Sequence, residues 1–142
     1  MNPEIIKKYG ESNHFGKWLG MELTILAPGS IEYKLHIRKD HMATPNAAHG
    51  GVIAALMDSV LGVTALSAVF LEGKVVSTVE YKINYFAPAL LHDQLLATGK
   101  IEQKGKRLIV VSGEIICTNR DNTCLAKGLG TFNAYPADKA GY

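Results

Sequence analysis

The sequence predicts an α+β fold in which an antiparallel sheet of about six strands curves around one long central helix. Two observations predict this fold. Residues 50–71 (GGVIAALMDSVLGVTALSAVFL) form an unbroken apolar run that carries a single charge, Asp58. Segments with strand patterning lie on both sides of that run, two before it and four after it. A helix that a sheet encloses on most sides can be apolar nearly all round, so one fold accommodates both observations.

The segment before the first strand predicts two short helices. Residues 3–9 (PEIIKKY) predict a helix that Asn2 caps, that has Pro3 at its first position and that ends at Gly10. Residues 14–20 (HFGKWLG) predict a second turn or short helix whose aromatic residues face a core.

Six strands are predicted around the central helix. They cover 21–27, 31–38, 74–86, 94–103, 107–118 and 123–135. The second strand alternates strictly between apolar and polar residues, which is typical of a half-buried antiparallel strand. The last four are separated by the short breaks APALLHD, KGK and NRDN, which favour an antiparallel meander. Residues 39–48 show no periodicity and predict a loop, and residues 136–142 predict a frayed tail.

Composition limits the class of protein. A chain of 142 residues and 15.4 kDa corresponds to a single domain over 1–142. Such a chain buries roughly two thirds of its surface on folding, so its core needs no disulfide or metal. Hydrophobic residues at 47% and charged residues at 20% exclude general disorder. The net charge of +2 with scattered Lys and Arg indicates no nucleic-acid binding. Cys117 and Cys124 form no zinc or disulfide pattern.

The apolar run is also long enough to span a bilayer. It is dense in small residues, however, and Asp58 lies near its middle. The other strands are half-polar, so membrane insertion is not predicted. The N-terminal segment MNPEIIKKYGESNHFGKW lacks the apolar region of a secretion signal. A cytoplasmic protein is therefore expected.

Asp58 needs a partner from outside its own helix. A carboxylate in apolar surroundings is costly unless it is paired, and no basic residue lies between His49 and Lys74. The positions three and four residues away are Ala54, Ala55, Leu61 and Gly62, which cannot bond to it. Asp58 therefore either meets a polar group from another element or faces a cleft, and it is either a structural carboxylate or a catalytic one.

The start of the central helix has the properties of an oxyanion site. Gly50 and Gly51 lack a β-carbon, so a ligand can approach the backbone closely. The first turn carries unpaired N–H groups and the positive end of the helix dipole. Asp58 lies about 12 Å further along the axis than Gly50. One reacting centre could use both residues if the site were shared across a dimer. The glycine pair alone is equally typical of close helix packing.

Two segments of the chain resemble a known family. The strings NAAHGGVIAALMDSVLG and VSTVEYKINYFAPA resemble the hotdog-fold acyl-CoA thioesterases of the phenylacetate-pathway (PaaI-like) group, and the resemblance covers roughly residues 14–135. The family shows HGG, an acidic residue eight positions after the first of these glycines, and a strand that ends in an aromatic-x-x-Pro pattern. This chain has His49-Gly50-Gly51, Asp58 and the sequence YFAP at 85–88 at the same intervals.

The resemblance implies hydrolysis of an acyl-CoA thioester. It implies that Asp58 is the nucleophile or general base, and that the Gly50 N–H polarises the thioester carbonyl across a homodimer. Alignment on the YFAP sequence places Thr78 where relatives carry a Ser or Thr that orients water, although Thr78 could equally be an ordinary strand residue. His49 either contacts the substrate carbonyl region or caps the helix.

Further expectations concern substrate binding and assembly. We expect the acyl group to lie against Met57, Leu61 and their neighbours, and Gly51 to contact the substrate. The resemblance implies that basic surface residues bind the coenzyme A phosphates, although such residues are often plain solvated surface. The candidates are Lys82, Lys104, Lys106 and Arg107. No separate cofactor and no metal are expected, because coenzyme A is part of the substrate. The dimer is expected to assemble into a homotetramer.

The chain departs from the family at one upstream position. Many relatives carry an Asn six residues before the HGG histidine, where this chain has Ala43. The nearest amide is Asn46, which either takes over that role or leaves it unfilled.

Two alternative functions remain open. One is a hotdog hydroxyacyl-thioester dehydratase or hydratase in which His49 and Asp58 act together. The other is a non-catalytic acyl-CoA binding module, which would bind acyl-CoA without turnover.

Overall fold

The computed structural model describes residues 4–142 and confirms the predicted fold. The helices are α1 (Glu4–Ser12), α2 (His14–Leu19) and α3 (Gly50–Val69). The strands are β1 (Glu22–Ala27), β2 (Ser30–His36), β3 (Met42–Thr44), β4 (Ala47–Ala48), β5 (Lys74–Tyr85), β6 (Gln94–Lys104), β7 (Leu108–Cys117) and β8 (Thr123–Pro136). Three 3₁₀ turns cover Lys39–His41, Phe70–Glu72 and Ala137–Ala140.

The two N-terminal helices differ slightly from the prediction. Helix α1 continues through Gly10 to Ser12, so the expected end at Gly10 is wrong, and the proposed cap at Asn2 and start at Pro3 lie outside the described residues. Helix α2 begins after Asn13, whose side-chain oxygen accepts a hydrogen bond from the Gly16 N–H at 3.1 Å. The polar cap of α2, and not the glycine, therefore marks the boundary between the helices.

The main sheet has the strand order β1-β2-β6-β7-β8-β5, and all of its pairs are antiparallel. The predicted meander holds from β6 to β8 but is wrong for β5. Strand β5 pairs with β8 at one edge, and residues 86–93 carry the chain back to β6. That segment is fixed by the Ala48 N–H, which donates to the Ala89 carbonyl at 2.8 Å, and by the buried Asp93, which binds Arg120.

Helix α3 lies against the inner face of the sheet. Together with the following turn it is long and apolar enough to span a membrane, but 67% of its most apolar window is buried inside the fold. Three neighbouring strands carry glycines side by side, because Gly99 pairs with Gly113 and Gly113 pairs with Gly128. A β-carbon at Gly128 would lie 2.7 Å from the Met57 sulfur. The missing side chains therefore allow α3 to approach the sheet closely.

Strand β5 contains a β-bulge that determines which side chains face α3. Its register with β8 shifts between Thr78 and Glu80, so Val79 is the extra residue and is 57% exposed. A strict two-residue alternation would place Thr78 and Tyr81 on opposite faces of the strand. The bulge brings both onto the face that contacts α3.

Two other segments are more ordered than predicted. The expected loop over 39–48 contains a 3₁₀ turn and the small β3–β4 hairpin, which the Thr44 hydroxyl stabilises by accepting from the Ala47 N–H at 3.0 Å. The expected frayed tail is also wrong. Ala137 is buried, and its N–H donates to the Gly73 carbonyl at 3.0 Å, so the end of the chain packs on the start of β5.

Candidate active site

Asp58 is half-buried and faces a cavity, and it also has a polar partner from another element. The Thr78 hydroxyl of β5 donates to Asp58 Oδ1 at 2.9 Å. The cavity has a volume of about 450 Å³ and lies between α3, β5, β8 and the two N-terminal helices. Both possibilities left open by the sequence therefore hold at once: the carboxylate is oriented by a hydroxyl and is open to a cavity.

Three side chains of β5 donate hydrogen bonds along one stripe of α3. The Tyr85 hydroxyl donates to the Gly50 carbonyl at 2.8 Å, and the Tyr81 hydroxyl donates to the Ala54 carbonyl at 3.2 Å. The Thr78–Asp58 bond continues this series one helical turn further along. Because Gly50, Ala54 and Asp58 are four residues apart, they lie on one face of the helix. Strand β5 thus fixes the helix start and the carboxylate relative to each other.

The start of α3 leaves one backbone donor available. The His49 Nδ1 atom accepts from the Gly51 N–H at 2.7 Å and so caps the helix. A neutral His49 ring then carries its proton on Nε2, which remains a potential donor. The Gly50 N–H has no acceptor among residues 4–142, as expected for the first position of a helix. It can therefore donate to a ligand oxygen.

The geometry keeps the donor and the carboxylate apart within one chain. Helix α3 is continuous from Gly50 to beyond Asp58. Eight residues of helix separate the two by about 12 Å along the axis. A hydrogen-bond donor and an attacking group that act on one carbonyl must both lie within about 3 Å of it. One chain therefore supplies two half-sites that do not meet each other.

Three tyrosines that lie against α3 or line the cavity have raised pKa values. Burial is the main cause for Tyr81, and the nearby Asp58 charge raises its pKa further. Burial alone raises the pKa of Tyr85. For Tyr9 burial is again the largest cause, and the charge of Asp58 adds to it. All three phenols therefore stay protonated around neutral pH, so Tyr81 and Tyr85 keep the O–H groups that they donate to the Ala54 and Gly50 carbonyls.

Two residues expected to contact the acyl group do not line this cavity. Met57 and Leu61 are fully buried on the side of α3 that faces the sheet. Their side chains lie against Gly113 and Gly128, where the missing β-carbons leave room for them. The structure therefore does not place Met57 and Leu61 at this cavity, and their contact with an acyl group stays a prediction. The side of α3 that faces the cavity carries Ala55, Asp58, Ser59, Gly62, Val63 and Leu66.

Of the expected phosphate-binding residues, Lys82 lies on β5 and the other three lie at the end of β6 and in the β6–β7 turn. Lys82 is exposed on β5, and Lys106 is exposed in the β6–β7 turn. Lys104 is bound to the Glu72 carboxylate at 2.5 Å and to the Ala68 carbonyl at 3.0 Å, near the far end of α3. Arg107 donates to the Asn133 side chain at 2.8 Å. The structure thus gives Lys104 and Arg107 local partners and does not bring them together with Lys82.

Asn46 lies in the turn between β3 and β4 and is exposed. Its backbone N–H donates to Thr44 Oγ1 at 3.3 Å. Its part in catalysis stays a prediction.

Sequence reasoning missed the residues that hold the site together. Tyr81 and Tyr85 contact α3, and Tyr9 and Asn13 of the N-terminal helices line the cavity. The repeated tyrosine four residues apart in β5 was a detectable signal. The bulge at Val79, which aligns those tyrosines with Thr78, has no sequence signature of comparable strength.

The family model described as the thioesterase superfamily matches residues 46–124, which is more than half of the chain. The chain therefore belongs to the thioesterase superfamily, and the resemblance to hotdog thioesterases is confirmed. Thioester hydrolysis is thus its class of reaction.

Three proteins illustrate the similarity. Human acyl-coenzyme A thioesterase 13 is 26% identical over 113 residues, which cover 79% of each chain. The structure of Escherichia coli PaaI, from the phenylacetic acid degradation operon, has a TM-score of 0.83 at 19% identity and covers 93% of this chain and 91% of that one. The structure of smu.793 from Streptococcus mutans, bound to acetyl CoA, has a TM-score of 0.73 at 22% identity and covers 82% and 90%.

Proposed function

We propose that the protein hydrolyses acyl-CoA thioesters to a free acid and CoA. The observation that carries this proposal is the half-buried Asp58, which Thr78 orients at the edge of a cavity of about 450 Å³. Membership of the thioesterase superfamily supports it. Further support comes from a human relative named as an acyl-coenzyme A thioesterase and from a similar structure bound to acetyl CoA.

Asp58 acts as general base or as nucleophile in this proposal. As a base, its carboxylate takes a proton from water, the water oxygen attacks the carbonyl carbon, and the carbon–sulfur bond breaks to release the CoA thiolate. As a nucleophile, it forms a mixed anhydride that water then hydrolyses. In either case Thr78 occupies Oδ1 and leaves Oδ2 to act.

The Gly50 N–H stabilises the negative charge that develops on the carbonyl oxygen. His49 supports this donor by capping the helix, and its Nε2–H is a second donor near the same position. Because Gly50 and Asp58 of one chain lie about 12 Å apart, we propose that each site pairs Asp58 of one protomer with Gly50 of its partner.

A homodimer through β5 fits this requirement. Strand β5 is twelve residues long and lies at an edge of the sheet, with exposed Val79, Tyr85 and Phe86 nearby. A long exposed edge of this kind is usually covered, and a second copy of the chain would cover it.

Leu108 and Leu129 are also exposed, on the opposite face of the sheet from α3, and we propose that dimers associate there into a tetramer.

The remaining proposals concern the cofactor, the phosphate-binding residues and the location of the protein. Coenzyme A enters as part of the substrate, so no separate cofactor is proposed. All four basic residues are exposed, and Lys82 and Lys106, whose side chains have no hydrogen bond or ion pair among residues 4–142, are the candidates for its phosphates. We also propose a cytoplasmic location.

Two substitutions test the site. We expect Asp58→Asn to lower acyl-CoA hydrolysis at least about a hundredfold.

Gly50→Pro deletes the backbone N–H while keeping a residue that the first helical position tolerates, and we expect a loss of about a hundredfold or more. Gly50→Ala is the matched control: it keeps the N–H, and its β-carbon would lie 3.7 Å from the Tyr85 hydroxyl, an ordinary contact. Release of free thiol measures all three, and full turnover by folded Asp58→Asn would overturn the mechanism.

The two alternatives are separated by parallel assays. Hydration of crotonyl-CoA without thiol release would indicate the hydratase. Tight acyl-CoA binding without any turnover would indicate the binding module.

A further inference from the structure

The cavity beside Asp58 is elongated, and its two ends differ in chemistry. At one end lie the Asp58 carboxylate and the Thr78 hydroxyl. At the other end lie Leu66 and Val75, which belong to a separate apolar cluster with Ile5 of α1. The polar end is the proposed reaction centre, and the apolar end is bordered by buried side chains.

Two separations along the chain estimate how far apart the two ends lie. Along α3, Leu66 follows Asp58 by eight residues, which corresponds to about 12 Å. Along β5, Val75 precedes Thr78 by three residues, which corresponds to about 10 Å. The paired strand agrees, since Val75 lies opposite Tyr135 and Thr78 lies opposite Phe132, and both of these partners line the cavity. The helix and the sheet therefore define the same two ends.

The lining between these ends combines apolar side chains with the hydroxyl groups of Ser59, Tyr9 and Tyr135. Gly62, Val63, Val76 and Phe132 line the middle of the cavity. The nearby polar side chain of Asn13 is occupied, because its amide nitrogen donates to the Tyr9 hydroxyl at 3.2 Å and its oxygen accepts from the Gly16 N–H. An alkyl chain suits such walls better than a charged or strongly polar group.

The far end of the cavity is bordered by α1 and the C-terminal residues. Ile5 is 1% exposed and Leu66 is 4% exposed, and Ala137 is buried in the same cluster. Tyr142 packs against this cluster and also lines the cavity. The wall that limits the depth of the cavity is thus built from α1, the C-terminal residues and Leu66.

We propose that the cavity takes the alkyl chain of a medium-length acyl-CoA, about eight to ten carbons long, and that Leu66 determines this length. An extended alkyl chain advances about 1.3 Å per carbon, as follows from C–C bonds of about 1.5 Å at near-tetrahedral angles, so 10–12 Å corresponds to about eight to nine steps. This inference rests on the proposed thioesterase function, because the thioester carbonyl must lie at Asp58 for the chain to extend toward Leu66.

The test compares acyl-CoA substrates of increasing length in two Leu66 variants. Thiol release is measured with butanoyl-, hexanoyl-, octanoyl-, decanoyl-, dodecanoyl-, palmitoyl- and phenylacetyl-CoA. Leu66→Ala deepens the cavity and should move the optimum about two to three carbons longer, with a gain in kcat/KM of about fourfold for each further methylene that it buries. Leu66→Phe shortens the cavity and should move the optimum toward butanoyl-CoA. If Leu66→Phe does not fold, Val76→Leu narrows the cavity from a less buried position.

A matched control removes the same atoms elsewhere. Leu95 is 2% exposed and does not line the cavity, so Leu95→Ala should lower stability without changing the preferred chain length. A wild-type protein that hydrolyses none of the substrates would overturn the proposed function itself. A wild-type protein that is active but whose optimum stays the same in both Leu66 variants would overturn only this inference, as would an optimum for phenylacetyl-CoA over all the alkyl substrates.

Discussion

Thr78 shows how one hydroxyl can prepare a carboxylate for catalysis. Its O–H donates to Asp58 Oδ1 at 2.9 Å, which restrains the carboxylate and leaves Oδ2 free of this bond. A hydrogen bond to a charged group is stronger than one between neutral groups, so this contact constrains the orientation of Asp58 effectively. Thr78 would then be a positioning residue and Asp58 the reacting one.

We expect Thr78→Val to lower kcat about ten- to a hundredfold with little change in KM, since a hydrogen bond to a charged group contributes about 1.5–3 kcal/mol. Valine has nearly the same shape and favours strands, so the fold should persist. Thr78→Ser keeps the hydroxyl and should retain most of the activity. Steady-state kinetics measure both variants, and equal activity of Thr78→Val and wild type would show Thr78 to be an ordinary strand residue.

At the level of elements, the contact between α3 and the sheet depends on residues without side chains. A β-carbon at Gly99 would lie 2.1 Å from Thr64 Oγ1 and 3.2 Å from the Val60 carbonyl oxygen. Thr64 is fully buried and its hydroxyl donates to that same carbonyl at 2.6 Å. The helix thus lies as close to β6 as a glycine permits.

Gly99→Ala should therefore lower the free energy of unfolding by about 1–3 kcal/mol through overpacking. Adding Thr64→Ala removes the clashing hydroxyl and should recover part of that loss, a coupling that a double-mutant cycle in denaturant measures. Gly10→Ala is the control: nothing lies within 4 Å of its β-carbon position, and α1 should become slightly more stable. Equal destabilisation by Gly99→Ala with and without Thr64→Ala would contradict the close contact.

The segment that crosses from β5 to β6 is held by a buried ion pair. Asp93 is 3% exposed and binds Arg120 at 2.6 Å, and the Leu90 N–H donates to the same carboxylate at 2.8 Å. Burial by itself would raise the pKa of Asp93, but Arg120 and the Leu90 N–H outweigh it and hold the pKa below its ordinary value of 3.8. The pair therefore stabilises the fold above that pH, and the contribution is lost as the pH falls through the lowered pKa.

Arg120→Ala should cost about 2 kcal/mol at pH 7, which is less than for a fully buried pair because Arg120 is about one third exposed. The uncompensated Asp93 would become neutral more easily, so the difference from wild type should shrink as the pH is lowered below about 4. Denaturant titrations at both pH values measure this change. A difference that did not depend on pH would indicate lost packing of the arginine and not lost charge pairing.

At the level of the whole molecule, the proposed site requires two chains. Mixing Asp58→Asn chains with Gly50→Pro chains tests this directly. Random pairing makes half of the dimers mixed, and each mixed dimer has one intact site, so about one quarter of the wild-type activity should return. Each parent alone should remain inactive in the same thiol-release assay. A mixture no more active than its parents would show that Asp58 and Gly50 do not meet across the interface.

Much of the fold could be predicted from the sequence because apolar periodicity reports burial. The unbroken apolar run predicted a central helix, and the alternation of Ile31, Tyr33, Leu35 and Ile37 predicted the buried face of β2, which the structure confirms. The order of strands could not be predicted in full. Short breaks suggest neighbouring strands, yet β5 pairs with β8, because its partner is decided by long-range packing and not by the local turn.

The candidate site, like the fold, could be predicted from the sequence only in part. Spacing along one helix placed Gly50 and Asp58 on a common element, and the isolated charge singled out Asp58. The direction of each side chain depends on features with no local pattern. The bulge at Val79 places Thr78 and Tyr81 on the face of β5 that contacts α3. The Met57 side chain of α3 points toward the glycines of the sheet and not toward the cavity.

The sequence by itself therefore determined which elements form and which residues carry chemistry, because periodicity, helix capping and unpaired charge are local properties. Only the tertiary structure decided what Asp58 contacts, how deep its cavity is and which residues close it. Those properties arise where α1, α3, β5 and β8 meet, and residues distant in the chain come together there only after the whole sheet has folded around its helix.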